Sequence, residues 1–368
     1  MKTSENQINT DFFNELVSEL TILGGQTTYQ DNKGWFNPEL TKIALDRLMQ
    51  KSNVDVLFNT EVTKISLKNK HIEGIYINQE ILSVCIASKY IVDATGNCEI
   101  GKLSNCEFLN TENEKQPVSL RFEMGGIDLK TFAKWIMDFD KDRNVTTCEI
   151  INGQIHLSTA CTDNGKWALR PLFEDAISNN LLKEEDCKYF QVFTIPNKFD
   201  SLAFNCPRLY FEPEINALDP VKTSEALIKG RESILRIGNF CKLYLPGFEK
   251  AYISTIANSL GVRVSRRIKG KYIYTENDLK TGKKFKNPVL VGNYPIDVHS
   301  NKKENSVLEF TNQDYEVPIE ALISADIDNL FVVGRCLSAD FKAQAALRIQ
   351  PACFSMGEGI AKHISTLL

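Results

Sequence analysis

The sequence predicts an α/β fold in two domains, with an α+β unit inserted into an outer α/β unit. Three observations predict it. Helix-period and strand-period segments alternate through residue 116, β-rich pieces and longer helices fill residues 117–314, and residues 315–368 return to α/β character. No internal repeat and no Gly-, Ser- or Pro-rich linker divides the chain, so the middle reads as an insertion rather than a tandem domain. With 368 residues there is room for about two domains.

The elements follow in order. Phe12, Phe13, Leu16, Val17 and Leu20 recur at helical spacing until Gly24-Gly25 stops them. Asn37-Pro38-Glu39 is a helix start, an N-cap followed by proline, with Leu40, Ile43, Ala44 and Leu48 behind it. Val54–Phe58 predicts a buried strand, and Val62–Leu67, Ile72–Ile77 and Ile81–Ala87 predict a β-meander punctuated by Asn69 and Asn78. Lys89-Tyr90-Ile91-Val92-Asp93-Ala94-Thr95-Gly96 is an apolar strand that breaks into a small-residue turn, the form a strand takes where its carboxyl end meets a ligand. Val118–Glu123 and Leu209–Glu212 are β-rich. The strongest helix opens at Asp219-Pro220 and runs past Leu227, Ile234 and Leu235 toward Pro246-Gly247. Leu330–Gly334 is a final strand, and Pro351 to Leu367 a terminal helix.

Composition excludes several classes of function. Lys+Arg 43 against Asp+Glu 47 gives a net charge of −4, which provides no cationic field to gather nucleic acid. The ten cysteines are scattered without a CxxC pair and there are four histidines, so neither a metal site nor a disulfide scaffold is expected. Sparse cysteine and the lack of a signal-peptide pattern predict a reducing, cytoplasmic setting. No apolar run approaches the ~20 residues of a membrane span, so no membrane partner is expected.

Three segments carry chemistry. Tyr90–Asn97 ends an apolar strand in Asp-Ala-Thr-Gly. Leu260–Tyr272 contains Arg263, Arg266 and Arg267, and is followed by Tyr294-Pro295-Ile296-Asp297-Val298-His299. Asn329–Ala339 is a strand ending in Gly334-Arg335, with Arg348 and Pro351-Ala352-Cys353-Phe354-Ser355-Met356-Gly357-Glu358-Gly359 after it. A strand that ends in Gly-Arg lets backbone approach a diphosphate, and a guanidinium pairs with phosphate through two parallel hydrogen bonds.

Together these segments resemble the FAD-dependent oxidoreductases of glutathione-reductase-like flavin fold, in the branch with a substrate domain inserted before the C-terminal flavin segment. The resemblance covers nearly the whole chain. It implies an FAD/NAD(P)-binding Rossmann-like domain over 1–116 plus 315–368, and a substrate domain over 117–314. It implies FAD contacts at Val62, Ala94, Thr95, Gly96, Gly334, Arg335, Met356 and Gly357, with helix-terminal amides near Met356-Gly357 facing the flavin. A small-molecule substrate would meet His299, Arg263 and Arg348, in acid/base and anion-binding roles, and the reaction would pass a hydride or two electrons.

One departure stands beside these matches. The family's N-terminal Gly-x-Gly-x-x-Gly strand, turn and helix are not found, and the Rossmann-like domain is expected to be N-terminally truncated. Either the chain is a fragment, or a partner or oligomer supplies the unit, or FAD is held in another way. The competing expectation is a flavin-free fold remnant or partner-binding subunit. At single residues the bland alternatives also stand. Arg263, Arg266 and Arg267 form an anion clamp or a solvated face, His299 is an acid/base or a hydrogen-bonded structural imidazole, and Arg348 binds ligand or a neighbouring acid. Asp297 orients His299 only if strand alternation puts both on one face. Cys336 and Cys353 read as packing thiols.

Overall fold

The computed structural model describes residues 7–79, 82–110, 116–160, 167–209, 218–299, 307–311 and 313–368. Helix α1 (Asp11–Ile22) packs Leu16 and Leu20 against Ala44 and Leu48 of α2 (Pro38–Lys51). Asn37 caps α2 by accepting from the amides of Glu39 and Leu40, while its Nδ2 donates to the Pro196 carbonyl at 3.0 Å. The cap residue therefore also ties the outer unit to the insertion. A hairpin between the two helices, Gln26–Tyr29 with Asn32–Phe36, does the same by closing Tyr29 and Trp35 on His156.

The meander forms, with Glu61–Lys68, His71–Gln79 and Leu82–Ala87 paired antiparallel in that order; Asn69 lies at a turn as expected, whereas Asn78 falls inside the second strand, opposite Glu61 and Ser83. Ile81 lies outside the described residues. Val54–Phe58 does not form the expected buried strand: it is irregular, and Val54, Val56, Leu57 and Phe58 are exposed, Phe58 by 66%. A strand needs a partner edge, and among the described residues none is offered to this segment. Among the described residues one pair of strands runs parallel, Ile91–Asp93 beside Leu330–Val332, in the register Leu330↔Ile91 to Val332↔Asp93. The chain between these two strands is what the insertion interrupts.

Asn329 fixes that pair to the meander. Its Oδ1 accepts from the Ile72 amide at 2.9 Å, and its Nδ2 donates to the carbonyls of Ile72 and Lys89 at 2.9 and 3.0 Å. Asp93, also buried, serves the next turn. Its two carboxylate oxygens accept from the Thr95 amide and hydroxyl and from the amides of Ile100 and Gly101, which start α3 (Glu99–Leu103).

The insertion is a six-stranded antiparallel sheet, ordered Tyr252–Ile256, Phe122–Gly125, Leu202–Phe204, Gln191–Thr194, Gln154–Ala160 and Thr146–Ile151. Helices α4 (Leu129–Phe139), α5 (Arg170–Ser178) and α6 (Pro220–Tyr244) cover it, and Asp219 caps α6. Phe122, Phe173, Phe190, Phe204 and Phe240 stack through its core. Leu209–Glu212 is described only to Leu209, in the short strand Arg208–Leu209 paired with Val118–Ser119.

Apolar contacts end the inserted unit near Val262, not at residue 314. Tyr274, Leu279, Val289, Leu290 and Ile296 share a core with Ala343, Leu347, Met356 and Ile360 instead. The reason lies in two pairings the sequence does not announce. Pro288–Gly292 pairs with Tyr315–Pro318 and packs on α9 (Gln350–Leu367), and α7 (Glu276–Thr281) packs on α8 (Phe341–Leu347). Among the described residues no helix is long and apolar enough to cross a membrane.

Replacing Asn329 with alanine leaves the amide and carbonyl of Ile72 buried without partners. The expected loss is about 2–4 kcal/mol in denaturant unfolding, since each orphaned buried group costs about 1–3 kcal/mol. A loss below about 0.5 kcal/mol, the size of an ordinary surface change, would show that the side chain does not hold the two sheets together.

Candidate functional site

The site is built on the chain's passage into the insertion. Gln116, buried, accepts at Oε1 from the His299 amide at 3.1 Å and from Arg348 at 3.4 Å. The next carbonyl, Pro117, accepts from Arg263 at 2.6 Å. Ser119 then pairs with Arg208 on one side and with Gly261 on the other, and Arg121 reaches Asn205 at 3.2 Å. Three arginines from distant parts of the sequence, Arg208, Arg263 and Arg348, thus meet one six-residue stretch, 116–121, which itself carries a fourth, Arg121.

The three arginines of the 263–267 segment part company. Ser265, between them, donates to the Gly96 carbonyl at 2.7 Å. Arg266 bonds the Asn97 carbonyl and pairs with Glu99, and buried Arg267 bonds the carbonyls of Ala339 and Asn110. Only Arg263 joins the site, so the expected three-arginine clamp is not formed. The extended backbone turns successive side chains to different neighbours.

Asp297 and His299 do share a face. Asp297 Oδ2 lies 3.4 Å from His299 Nε2 and 3.3 Å from Arg348, which also donates to the Asp297 carbonyl at 3.0 Å. Arg348 stands at the elbow between α8, capped by Asp340, and α9. Burial, then the charges of Arg208, Arg263 and Arg348, pushes the His299 imidazole down to about 2, so it is neutral at ordinary pH. Burial and the neighbouring guanidiniums of Arg208 and Arg348 likewise work against the charge of Arg263. A guanidinium keeps its proton, so Arg263 stays charged, with the Asp297 carboxylate working in its favour.

Beside this cluster lies the edge where both parallel strands end. Gly96 and Gly334 have φ of +74° and +82°, which a side chain would resist. The Arg335 guanidinium packs so closely over Gly96 that a Cβ there would stand 2.8 Å from Cζ. Arg335 bonds Asn97 Oδ1 at 2.8 Å, and its buried Nε has no partner. Ala94 and Thr95 are exposed on the same turn, and Gly357 faces open space on α9. These residues fit the expected flavin: backbone open to close approach, an unsatisfied buried donor, and the carboxyl ends of parallel strands.

Gln344 joins the two halves. Fully buried, it donates from Nε2 to the carbonyls of Arg263 and Arg335 at 3.0 and 3.1 Å. The Met356 side chain is fully buried in the core around α8, and the Val62 side chain packs against the apolar cluster of Ile72, Ile91 and Leu330, which leaves the Val62 backbone for the expected adenine contact. The helix that was to present terminal amides at Met356-Gly357 begins at Gln350, two turns earlier, so those amides lie inside it; Ile349 gives α9 no side-chain cap. Cys353 sits beside Gly334 with its thiol pushed up to about 11 by burial, and Cys336 is buried, in keeping with packing roles.

Sequence reasoning missed Gln116, Arg121, Arg208 and Gln344. For the first three no local signal exists, because strand pairing across the insertion brings them in. Gln344 left a trace, as the one polar residue in Ala343-Gln344-Ala345-Ala346.

The neutral histidine has a stability consequence. The unfolded imidazole takes a proton near pH 6.5 and the folded one only near 2, so the unfolded state binds more protons in between. Stability should therefore fall as pH drops below 6.5, by up to about 1.4 kcal/mol per pH unit from this residue. Burial lowers His156 in the same direction. Thermal unfolding at pH 7 and 5 should show a smaller acid loss in His299→Gln than in the parent chain; an unchanged loss would show that His299 charges in the folded protein.

A family model described as FAD dependent oxidoreductase matches residues 1–366. No curated protein matches the chain. Among solved structures, a geranylgeranyl bacteriochlorophyll reductase-like protein from Thermoplasma acidophilum aligns with 92% of this chain and 56% of its own, at 12% identity and a TM-score of 0.41. The flavin-dependent brominase Bmp2 aligns with 100% of this chain and 70% of its own, at 12% and 0.41. The L-proline dehydrogenase from P. horikoshii aligns with 90% of this chain and 55% of its own, at 10% and 0.30. The chain thus spans little more than half of the first and third of these proteins. It belongs to the FAD dependent oxidoreductase family, and the cofactor of that family is FAD.

Proposed function

We propose that this chain holds FAD along the carboxyl ends of Ile91–Asp93 and Leu330–Val332, and catalyses two-electron transfer with a small organic substrate seated against Arg263, Arg348 and His299. The observation that carries the reading is the double hydrogen bond of Gln344, which fixes the Arg335 and Arg263 backbones side by side. Bound FAD supplies the two-electron acceptor, and the protein supplies position and electrostatics.

On the cofactor side, Gly334 and Gly357 leave room for close approach, and Arg335, packed over Gly96, offers its unpartnered Nε to a phosphate or ribityl oxygen. Ala94, Thr95 and Gly357 line the same edge. On the substrate side, Arg263 and Arg348 hold an anionic group and so orient the bond that reacts. The neutral His299 imidazole accepts the substrate's proton, and Asp297, 3.4 Å from Nε2, stabilises the cation that forms. An anion placed beside Arg263 and Arg348 raises the affinity of His299 for that proton at the moment of binding.

A second reading rests on a different observation. Val54, Val56, Leu57 and Phe58 are exposed, and among the described residues Ile91–Asp93 has no strand on its second edge, with Val92 41% exposed; each is apolar surface of the kind another polypeptide covers. In that reading the chain is a partner-binding subunit and carries no flavin.

Visible absorption and flavin-fluorescence titration of the purified chain separate the two. Flavin bands, or quenching of added FAD, with affinity reduced about tenfold or more in Arg335→Ala, are expected. A colourless chain that leaves FAD fluorescence unchanged favours the second reading. In flavin-loaded protein, His299→Gln should lower kcat by about 100-fold or more, and Arg348→Ala should lower kcat/KM. Unchanged turnover in both would remove these residues from the reaction.

A further inference from the structure

Gln344 is engaged at one end of its amide. The side chain is fully buried, and its nitrogen gives one hydrogen to the Arg263 carbonyl at 3.0 Å and the other to the Arg335 carbonyl at 3.1 Å. Two carbonyl partners identify the nitrogen end and use both of its hydrogens. The oxygen end, Oε1, is buried too and accepts from no donor among the described residues. A buried acceptor left open in this way marks a place where a donor belongs. Its chain neighbours supply none, because Ala343, Ala345 and Ala346 are buried and carry no polar side chain.

The helix places this oxygen beside the substrate cluster. The Arg348 amide donates to the Gln344 carbonyl at 3.1 Å, closing one helical turn. Residues so spaced stand on one helix face, with Cβ atoms about 5–6 Å apart. Arg348 is open in the opposite sense: its Nε, and the Nε2 of the Gln116 amide that it bonds, are buried donors without partners. The same face thus calls for an acceptor at Arg348 and, one turn earlier, for a donor at Gln344. Space lies next to Arg335, whose carbonyl Gln344 holds. At Gly334, apart from its chain neighbours, only Cys353 Sγ would come within 4 Å of a Cβ, at 3.8 Å.

We propose that Gln344 is a specificity-determining residue of the substrate site, its Oε1 accepting an O–H or N–H of the substrate while an oxygen of the same molecule meets Arg348 Nε and Gln116 Nε2. The inference rests on the reading of this site as the substrate site, and the anionic group of that reading supplies the oxygen. It adds what the substrate carries besides, a hydroxyl or amino group. Charge does not make the choice, since Arg348 already has Asp297 at 3.3 Å; what is open at each end is a hydrogen bond. A site built to hydrogen-bond a substrate hydroxyl or amine rejects the analogue lacking it, because its own buried group is then left unpaired.

Calorimetric titration of the protein as purified, with thermal shift alongside, tests this without turnover. The probes fall into three classes. Lactate and 3-hydroxybutyrate carry the donor at two distances from the carboxylate, 2-methoxypropanoate and 3-methoxybutyrate keep the oxygen and lose its hydrogen, and propionate and butyrate lose both. At least one hydroxy acid should bind about tenfold or more tightly than its methyl ether and its plain acid, the size of one buried hydrogen bond. Gln344→Leu should remove that preference. If Gln344→Leu fails to fold, the ethers carry the test on the parent chain, because they delete the donor from the ligand instead. Equal binding of both hydroxy acids and their ethers, a preference that survives in Gln344→Leu, or no binding of any probe overturns the proposal. Because the titration needs no flavin, a chain that prefers a hydroxy acid and binds no FAD would lose the oxidoreductase reading and keep this one. A flavin-loaded, active enzyme without the preference would do the reverse.

Discussion

The passage of the chain through residues 116–121 is the constraint on which the site depends. Gln116 carries two hydrogen bonds, from the His299 amide and from Arg348, and Pro117 carries a third from Arg263. Residues more than 140 positions away are held by this one crossing strand. Without it, Arg208 and Gly261 would not share Ser119 as a strand partner, and Arg263, two residues after Gly261, would lose the Pro117 carbonyl that holds it. Fixed backbone is what allows unfavourable charges to be kept close, and charges kept close in that way are ready for a ligand.

A second constraint is the short parallel sheet. Parallel strands are ordinarily covered on both faces and both edges, yet Ile91–Asp93 has one described neighbour and Val92 is half open. Asn329 and Asp93 compensate from within, spending their side-chain hydrogen bonds on the backbone around the pair. The exposed Val54–Phe58 is the same deficit seen from sequence: a segment with strand chemistry and no strand to join. Both features make the edge carrying Gly96 and Gly334 depend on long-range polar contacts more than on sheet pairing.

Much of the fold was legible. Caps at Asn37 and Asp219, the Asn69 turn of the meander and the strand before Gly334 are local chemistry, and they appear where the spacing puts them, while Asn78 lies in a strand because its neighbours on both sides offer pairing. The limit of the insertion was not, because Pro288–Gly292 finds its partner at Tyr315–Pro318 and no local pattern records which strand a strand will choose. The same divide runs through the site. Gly96, Arg335, Arg263, His299 and Arg348 sit in readable motifs, and Asp297 falls on the face that strand alternation allows. Arg208, Gln116 and Gln344 act only through tertiary placement. Arg266 and Arg267 show the opposite error: adjacency in sequence suggested a shared task, and the extended backbone gave each its own structural partner.

Hydrogen–deuterium exchange with and without FAD tests the central claim most directly, because it reports position as well as binding. The account predicts FAD-dependent protection in the peptides spanning residues 94–97, 333–336 and 350–357, with little change in the meander strands. Absence of protection in those three segments, or protection confined to Val54–Phe58, would contradict it.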